Sequence, residues 1–181
     1  ERSASLEQAP LAELGEQRPS TATRSGSSGG LLPASTDSTL AAGSATDLPG
    51  RTVQIPLTLA LGPGVQVTTL MFNCTVSPTG AAPGVGTITF IPDPQLPSPD
   101  INENDQTSGE IPPGTVLVAW LSDIAPALSG TVQIGTVQVT IPSGASLGDT
   151  WEVQIINPSG TDQGTPVTII GSDGTLLAQD T

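Results

Sequence analysis

Apolar and polar residues alternate at a period of two along most of the chain, and glycine or proline interrupts the alternation every few residues. In residues 53–61, valine, isoleucine and leucine occupy every second position. This pattern is typical of a β-strand that buries one face. Eight further short segments show similar alternation, and most are separated by turns such as residues 61–64 and 172–174. The sequence therefore predicts an all-β fold, an antiparallel sandwich or jelly roll over residues 39–181.

The phase of the alternation also predicts which residues are buried, because successive side chains of a strand point to opposite faces. Cys74 is in phase with Phe72 and Val76, so it should pack as a small apolar side chain. Trp120 and Trp151 are in phase with apolar neighbours, which favours core packing over a sugar-stacking platform. The polar residues of the opposite phase should stay outside the core: Thr52, Gln54, Thr58, Gln138, Thr140, Glu152 and Gln154. The predicted core consists of Val53, Ile55, Leu57, Leu59, Leu70, Phe72, Cys74, Val76, Ile88, Phe90, Val118, Trp120, Val137, Val139, Ile141, Trp151, Val153 and Ile155.

Residues 1–38 lack this alternation and are predicted to form an extended N-terminal tail. Residues 18–30 are rich in serine, threonine and glycine, a composition typical of a flexible linker. Ordering a backbone residue costs about 1–2 kcal/mol, so the tail needs extensive contacts with another molecule to be held in place. We expect these subunit contacts to come from leucines on either side of the linker: Leu6, Leu11, Leu14, Leu31 and Leu32.

The tail suggests a structural subunit of an extracellular filament. An extended segment can complete the sheet of a neighbouring subunit through main-chain hydrogen bonds. Such head-to-tail contacts do not close on themselves, so they propagate as a homopolymer. The weakly patterned residues 40–42 and the proline-bearing residues 51–61 are predicted to be the open sheet edges of this assembly.

Composition narrows the function further. The chain has 17 acidic residues against 4 basic ones, all of them arginine, and contains no lysine, histidine or tyrosine. A net charge of −13 argues against nucleic-acid binding, since little could neutralise phosphates. Without histidine or lysine, zinc sites, haem ligation and base-activated serine nucleophiles are nearly excluded. We therefore predict a secreted or cell-surface protein that is not an enzyme and has no membrane span.

The densest group of oxygen ligands lies in residues 100–105. Asp100, Asn102, Asn104 and Asp105 stand at positions from which a loop could surround a hard cation such as Ca²⁺. The alternative is a solvated acidic loop between two strands. Calcium is the only cofactor that the sequence suggests.

Asn73-Cys74-Thr75 forms an N-x-Thr sequon, so Asn73 is a candidate glycosylation site. Its side chain should point outward if that of Cys74 points inward.

Several segments resemble cohesin domains. The resemblance spans roughly residues 40–177 and rests on five segments: residues 43–45, 49–57, 65–76, 134–150 and 172–176. They resemble, in order, the opening short strand, the Pro-Gly turn with its V-x-V-P-V strand, the long third strand, the IGT…IP…GDT segment and the closing DGT strand of that family.

The resemblance implies a nine-stranded jelly-roll sandwich from a bacterial or archaeal surface protein. It also implies an alternative to the filament: a cohesin-type module that binds a dockerin, or a related carbohydrate-binding module. A plain spacer domain is the third hypothesis.

Overall fold

A computed structural model describes residues 37–104 and 110–180 of the chain. The described part is all-β, with thirteen strands and no helix. The strands are β1 (Ser38–Ala42), β2 (Ala45–Asp47), β3 (Thr52–Ala60), β4 (Gln66–Val67), β5 (Thr69–Pro78), β6 (Thr89–Pro92), β7 (Ile101–Glu103), β8 (Thr115–Trp120), β9 (Leu128–Ser129), β10 (Thr131–Thr140), β11 (Thr150–Asp162), β12 (Thr165–Ser172) and β13 (Gly174–Ala178).

The predicted all-β jelly-roll sandwich is confirmed, and each of the nine predicted strands is present. Of the four additional strands, β4 is the first part of the segment predicted over residues 65–76, which the structure divides at Thr68. The other three, β2, β7 and β9, are two or three residues long. Segments this short carry too few alternating residues to give a period-two signal. Apart from its last two residues, the predicted tail lies outside the described residues, so the division of the chain at residue 38 stays a prediction.

Eleven of the strands form two sheets that share β12, and β4 and β9 form a separate two-stranded sheet. The first sheet has the order β6-β10-β3-β1-β12, and the second has the order β12-β11-β5-β8-β7, with β13 on β11 and β2 on β13. One half of β12 pairs with β11 and the other half pairs with β1. Most neighbours are antiparallel, but β1–β12 and β13–β2 are parallel. Strand β12 therefore joins the two layers along one side of the sandwich.

The core lies between the two sheets and matches the predicted phase. All of the predicted core residues are buried, with at most 9% of their surface exposed, and none of the polar residues of the opposite phase is buried. Phe72, Phe90 and Trp120 form two successive edge-to-face contacts, with ring centroids 5.7 and 5.9 Å apart. The aromatic residues of the core thus link the second sheet to the first through Phe90 on β6.

Both tryptophans are buried, and each satisfies its polar atom inside the protein. Nε1 of Trp120 donates to the carbonyl of Pro97, and Nε1 of Trp151 donates to the carbonyl of Pro83, both at 2.7 Å. Neither indole is therefore available for stacking on a sugar, as the phase predicted.

The expectation that β1 and β3 are open edges is wrong. Strand β1 pairs with β3 and β12, and β3 pairs with β1 and β10, so both strands are internal. Pro56 is tolerated inside β3 because it faces the point where β1 ends. Its carbonyl accepts a hydrogen bond at 2.8 Å from the amide of Gly43, which follows β1. The proline therefore signals the end of a neighbouring strand and not a sheet edge.

The alternation changes phase at Gly135-Thr136 and at Thr68-Thr69, which predicts two β-bulges, and both positions coincide with interruptions of the ladders. Strand β10 shifts register between Gln133 and Gly135 against β3. A Cβ at Gly135 would overlap the carbonyl oxygen of Ile91, so the bulge needs glycine there. The second slip separates β4 from β5 at Thr68, whose amide donates to the carbonyl of Thr161 at 2.7 Å.

No helix among the described residues has the length and hydropathy of a membrane span.

Candidate functional site

The solvent-facing side of the second sheet forms a continuous surface across four neighbouring strands, β7, β8, β5 and β11. Side chains that alternate with the buried residues of β7, β8, β5 and β11 point to this side. We call the surface the outer face; it consists of Met71, Asn73, Thr75, Ile101, Glu103, Thr115, Leu117, Ala119, Glu152, Gln154 and Ile156.

The centre of the outer face is apolar. Met71 on β5 lies opposite Ala119 on β8, which in turn lies opposite Ile101 on β7. Ala119 is buried, so the accessible apolar surface of this row comes from Met71 and the half-buried Ile101. Met71 exposes 48% of its surface and Ile156 exposes 38%, large fractions for apolar side chains in the middle of paired strands. Leu117 adds to this centre in the next cross-strand row, between Asn73 and Glu103.

Polar and acidic residues border this apolar centre. Glu103 at the end of β7 and Glu152 on β11 are both exposed. Thr75 and Thr115 face each other across β5 and β8, and their hydroxyl groups share a hydrogen bond of 3.0 Å. An apolar centre with a polar border is the usual composition of a protein-binding surface.

A depression of about 270 Å³ opens beside Met71. Its lining includes Leu121, which is 60% exposed, together with Ser159, Thr161 and Pro166. The depression lies where β11 shifts register against β5, between Ile156 and Ser159. The extra residue of this bulge bends β11 away from a regular ladder and leaves the space open.

The bulge depends on the dipeptide Asn157-Pro158, which the sequence analysis left without a role. Asn157 has a φ of 51°, a conformation that asparagine adopts more readily than most residues. Pro158 cannot donate to a ladder, and within strands proline is found mostly at edges and bulges. An Asn-Pro pair inside an alternating segment is the signal that could have predicted the bulge.

A second groove, of about 470 Å³, lies between residues 93–97, 124–129 and 131–133. Here β10 extends beyond β6, which pairs with it only from Gly135 to Gln138. Two of the groove's apolar residues, Ile124 and Leu128, belong to the core and are only 2% and 5% exposed. These two side chains therefore contribute little apolar contact area to the groove.

The predicted calcium ligand Asp100 is bound to main-chain groups of the same protein. Its Oδ2 accepts hydrogen bonds from the amides of Leu121 at 2.7 Å and Ser122 at 2.8 Å, and its Oδ1 accepts one from the Ser122 hydroxyl at 3.2 Å. The amide of Ser122, followed by that of Leu121, lowers the pKa of the Asp100 carboxyl below its ordinary value. Asp100 thus connects the start of β7 to the end of β8.

Asn102 and Asn104 are held by two other main-chain groups. Nδ2 of Asn102 donates to the carbonyl of Phe90 at 3.0 Å, and Nδ2 of Asn104 donates to the carbonyl of Ile88 at 2.7 Å. Asp105 lies outside the described residues. Within residues 37–104 and 110–180, no three His, Cys, Asp or Glu side chains come together as metal ligands would. Calcium binding here stays a prediction.

The sequon residue Asn73 is half-buried in the middle of the outer face. Its modification stays a prediction, as do the contacts of Leu6, Leu11, Leu14, Leu31 and Leu32, which lie outside the described residues.

Cys74, the next residue after Asn73, points into the core. Burial, with a smaller effect from the negative charge of Asp173, raises the pKa of its thiol to about 12. Asp173 lies nearby because its Oδ1 accepts the amide hydrogen of Ile155 at 3.0 Å, and Ile155 is the cross-strand neighbour of Cys74. A thiol that stays protonated is a poor nucleophile.

The comparisons with known proteins agree on this architecture. No protein-family model and no curated protein sequence matches the chain. Solved structures match it along most of the sandwich. The fold is that of a cohesin domain.

Three solved structures illustrate the likeness. The third cohesin of ScaC from Acetivibrio cellulolyticus, solved with the ScaB dockerin, has a TM-score of 0.55 and 14% identity over 79% of this chain and 99% of its own. The cohesin of a Coh-OlpC–Doc435 complex from Clostridium thermocellum has a TM-score of 0.55 and 12% identity over 80% and 95%. A non-cellulosomal cohesin from the archaeon Archaeoglobus fulgidus has a TM-score of 0.54 and 15% identity over 78% and 90%.

The predictions of a filament subunit and of a homopolymeric partner are wrong. The matching cohesins from Acetivibrio cellulolyticus and Clostridium thermocellum were solved in complexes with dockerins. The physical basis of the filament prediction also fails, because the two strands expected to await a partner are internal. The tail composition of residues 1–38 had suggested self-assembly without any information on which sheet edges were open.

Proposed function

We propose that the chain is a cohesin-type protein-binding module that binds a dockerin through the outer face. The observation that carries this proposal is the exposed apolar centre of the outer face on a domain with a cohesin-like fold. Four other large apolar residues of the described part are exposed. Leu121 lines the depression beside Met71, whereas Ile91, Leu147 and Ile170 are dispersed over β6, the turn before β11, and β12. Exposed apolar side chains that stand singly are ordinary, whereas a cluster with a polar border indicates a partner.

The strands under the outer face suit a rigid binding surface. Strands β5, β8 and β11 are each paired on both sides, so their main-chain atoms are held by two ladders. A surface that is already ordered loses little conformational entropy when a partner binds. The partner therefore meets fixed positions of Met71, Leu117 and Ile156 and no loop that must first fold.

We infer that the module acts by binding and not by catalysis, and that it works outside the cell or on its surface. The single thiol of the chain is buried and protonated, and the outer face carries carboxylates without a paired base or nucleophile. The acidic composition without lysine supports an extracellular location, where dockerin-bearing proteins would be met.

Surface plasmon resonance against a broad panel of purified dockerins tests this proposal. The test variant is Met71→Glu, which places a charge in the centre of the outer face. The matched control is Ile91→Glu, because Ile91 is 39% exposed and points outward from β6 in the first sheet. We expect at least one dockerin to bind the unmodified module and the control equally, and Met71→Glu to weaken binding by about tenfold or more.

Two results would contradict the proposal. One is that no dockerin of the panel binds the folded module. The other is that Met71→Glu binds as tightly as Ile91→Glu, which would place the contact on another surface.

A further inference from the structure

We propose that the partner presents a basic surface beside one apolar anchor: its anchor enters the depression beside Met71, and its lysine or arginine side chains face Glu103 and, further along the sheet, Glu152. This inference rests on the proposed function, since it specifies the chemistry of the partner surface that binds to the outer face.

The charges of the outer face are all negative. Its ionisable side chains are Glu103 and Glu152, and neither has a hydrogen bond or ion pair with another described residue. Arg51 is the one cationic side chain in residues 37–104 and 110–180, and it lies just before β3 in the first sheet. Nothing on the outer face therefore neutralises the two carboxylates, and the net charge of −13 reinforces their potential.

The two carboxylates stand on different borders of the face. Glu103 lies in one cross-strand row with Leu117, Asn73 and Ile156, so three strand spacings of about 4.8 Å separate it from β11. Glu152 lies four residues before Ile156 on β11, roughly 13 Å along the strand. Together these spacings put Glu103 and Glu152 roughly 19 Å apart. A complementary partner must therefore carry cations at two separated positions and not in one cluster.

The depression lies beyond the cross-strand row of Glu103, on the side away from Glu152, and it is suited to a side chain. Its volume of about 270 Å³ is below the range of about 300–1,000 Å³ that small-molecule sites occupy. Met71, Leu121 and Pro166 supply apolar walls, and Thr161 supplies a polar one. Interfaces concentrate their affinity where one aromatic or aliphatic anchor fills such a pocket.

Opposite charges across an interface speed association and exclude partners of the wrong sign. An acidic partner surface would be repelled by both carboxylates, and a neutral one would leave them desolvated without compensation. The basic partner surface is thus the one that the outer face favours.

A peptide titration followed by amide chemical shifts of the whole ¹⁵N-labelled chain tests the inference. The probes are three blocked thirteen-residue peptides with a central tryptophan. On each side of it, six residues alternate serine with lysine, with glutamine or with glutamate, so that an extended peptide can reach from the depression to Glu152. We expect the lysine peptide to shift the amides around Met71, Leu121 and Glu103, the glutamine peptide to bind several-fold more weakly, and the glutamate peptide to give no shifts there.

Charge-neutral variants locate the effect. Glu103→Gln and Glu152→Gln should each lower the affinity for the lysine peptide by about two- to fivefold, and the loss should be smaller at high salt. Asp180→Asn, which removes the same charge from an exposed position outside the outer face, should leave its affinity unchanged. Three results would overturn the inference. The glutamate peptide could bind as tightly as the lysine peptide, the chemical shifts could be confined to another surface, or Glu103→Gln and Glu152→Gln could behave like Asp180→Asn.

The same variants separate this inference from the proposed function. If a dockerin binds, and Met71→Glu abolishes its binding while Glu103→Gln and Glu152→Gln do not change it, the binding module stands and the basic partner surface is refuted. If the lysine peptide binds as expected but every dockerin fails, the basic surface stands and the dockerin partner is refuted.

Discussion

Raising the pH should destabilise this protein through one atom, the sulfur of Cys74. The unfolded thiol has a pKa of 9.0, whereas burial and the charge of Asp173 raise the folded pKa to about 12. Between these values the unfolded state releases a proton that the folded state keeps. Below the pKa that the thiol has in the unfolded state, the free energy of unfolding is therefore unaffected. It falls as the pH rises from that value toward the pKa of the thiol in the folded state.

The size of the loss follows from the two pKa values. At about pH 11 nearly all unfolded thiols and only about a tenth of folded ones are ionised, so the free energy of unfolding falls by about 3 kcal/mol. No other side chain of the chain titrates in this range, because the sequence contains no lysine, histidine or tyrosine. The alkaline loss can consequently be assigned to Cys74 without correction for neighbouring groups.

Urea unfolding, followed by tryptophan fluorescence at about pH 8 and about pH 11, measures this effect. The midpoint of the unmodified protein should fall by about 1–3 M between the two pH values, given the usual dependence of stability on urea. Cys74→Ala serves as the control. It lowers stability at every pH by removing a buried group, but its midpoint should not change between the two pH values. Parallel pH profiles for the two proteins would refute the assignment to the thiol.

Two further substitutions test single contacts. Gly174→Ala should destabilise the sandwich by about 3 kcal/mol or more, because the added Cβ would overlap the carbonyl oxygen of Gly43. Thermal unfolding measures this loss. The control Gly144→Ala should show no such loss, because a Cβ there meets nothing within 4 Å. Asp100→Asn should lower the free energy of unfolding at neutral pH. The difference in free energy between this variant and the unmodified protein should become smaller as the pH falls through the depressed pKa of Asp100, because protonation removes the charge that the Ser122 amide stabilises. A difference that persists in strong acid would show that packing and not charge is responsible.

The sequence analysis predicted the buried side of the strands correctly because burial in a sandwich depends on local alternation. Whether Phe72 or Trp151 faces the core is decided by its phase with neighbours one or two residues away, and that phase can be read from the sequence. The same locality made the breaks near Thr68 and Gly135 visible as slips of the phase.

The candidate site was predicted less well. Sequence analysis found oxygen ligands in residues 100–104, but three of these side chains are used to tie β7 to main-chain groups of other segments. It also did not single out Met71 and Ile156, because the sequence alone does not show that an apolar residue is exposed beside other apolar residues. That requires the pairing of the strands. The bulge at Asn157 had a local signal, but its relation to the depression required the register of β11 on β5.

The sequence by itself determined the all-β class, the number of principal strands, the composition of the core and the alkaline behaviour of a chain with one thiol and no lysine. Only the tertiary structure decided which strands are edges, which sheet face is apolar, and that β1 and β12, from opposite ends of the chain, lie side by side. The physical reason is that alternation reports how each residue faces its own sheet, whereas pairing is a contact between distant segments. Such pairing depends on how the whole sandwich closes.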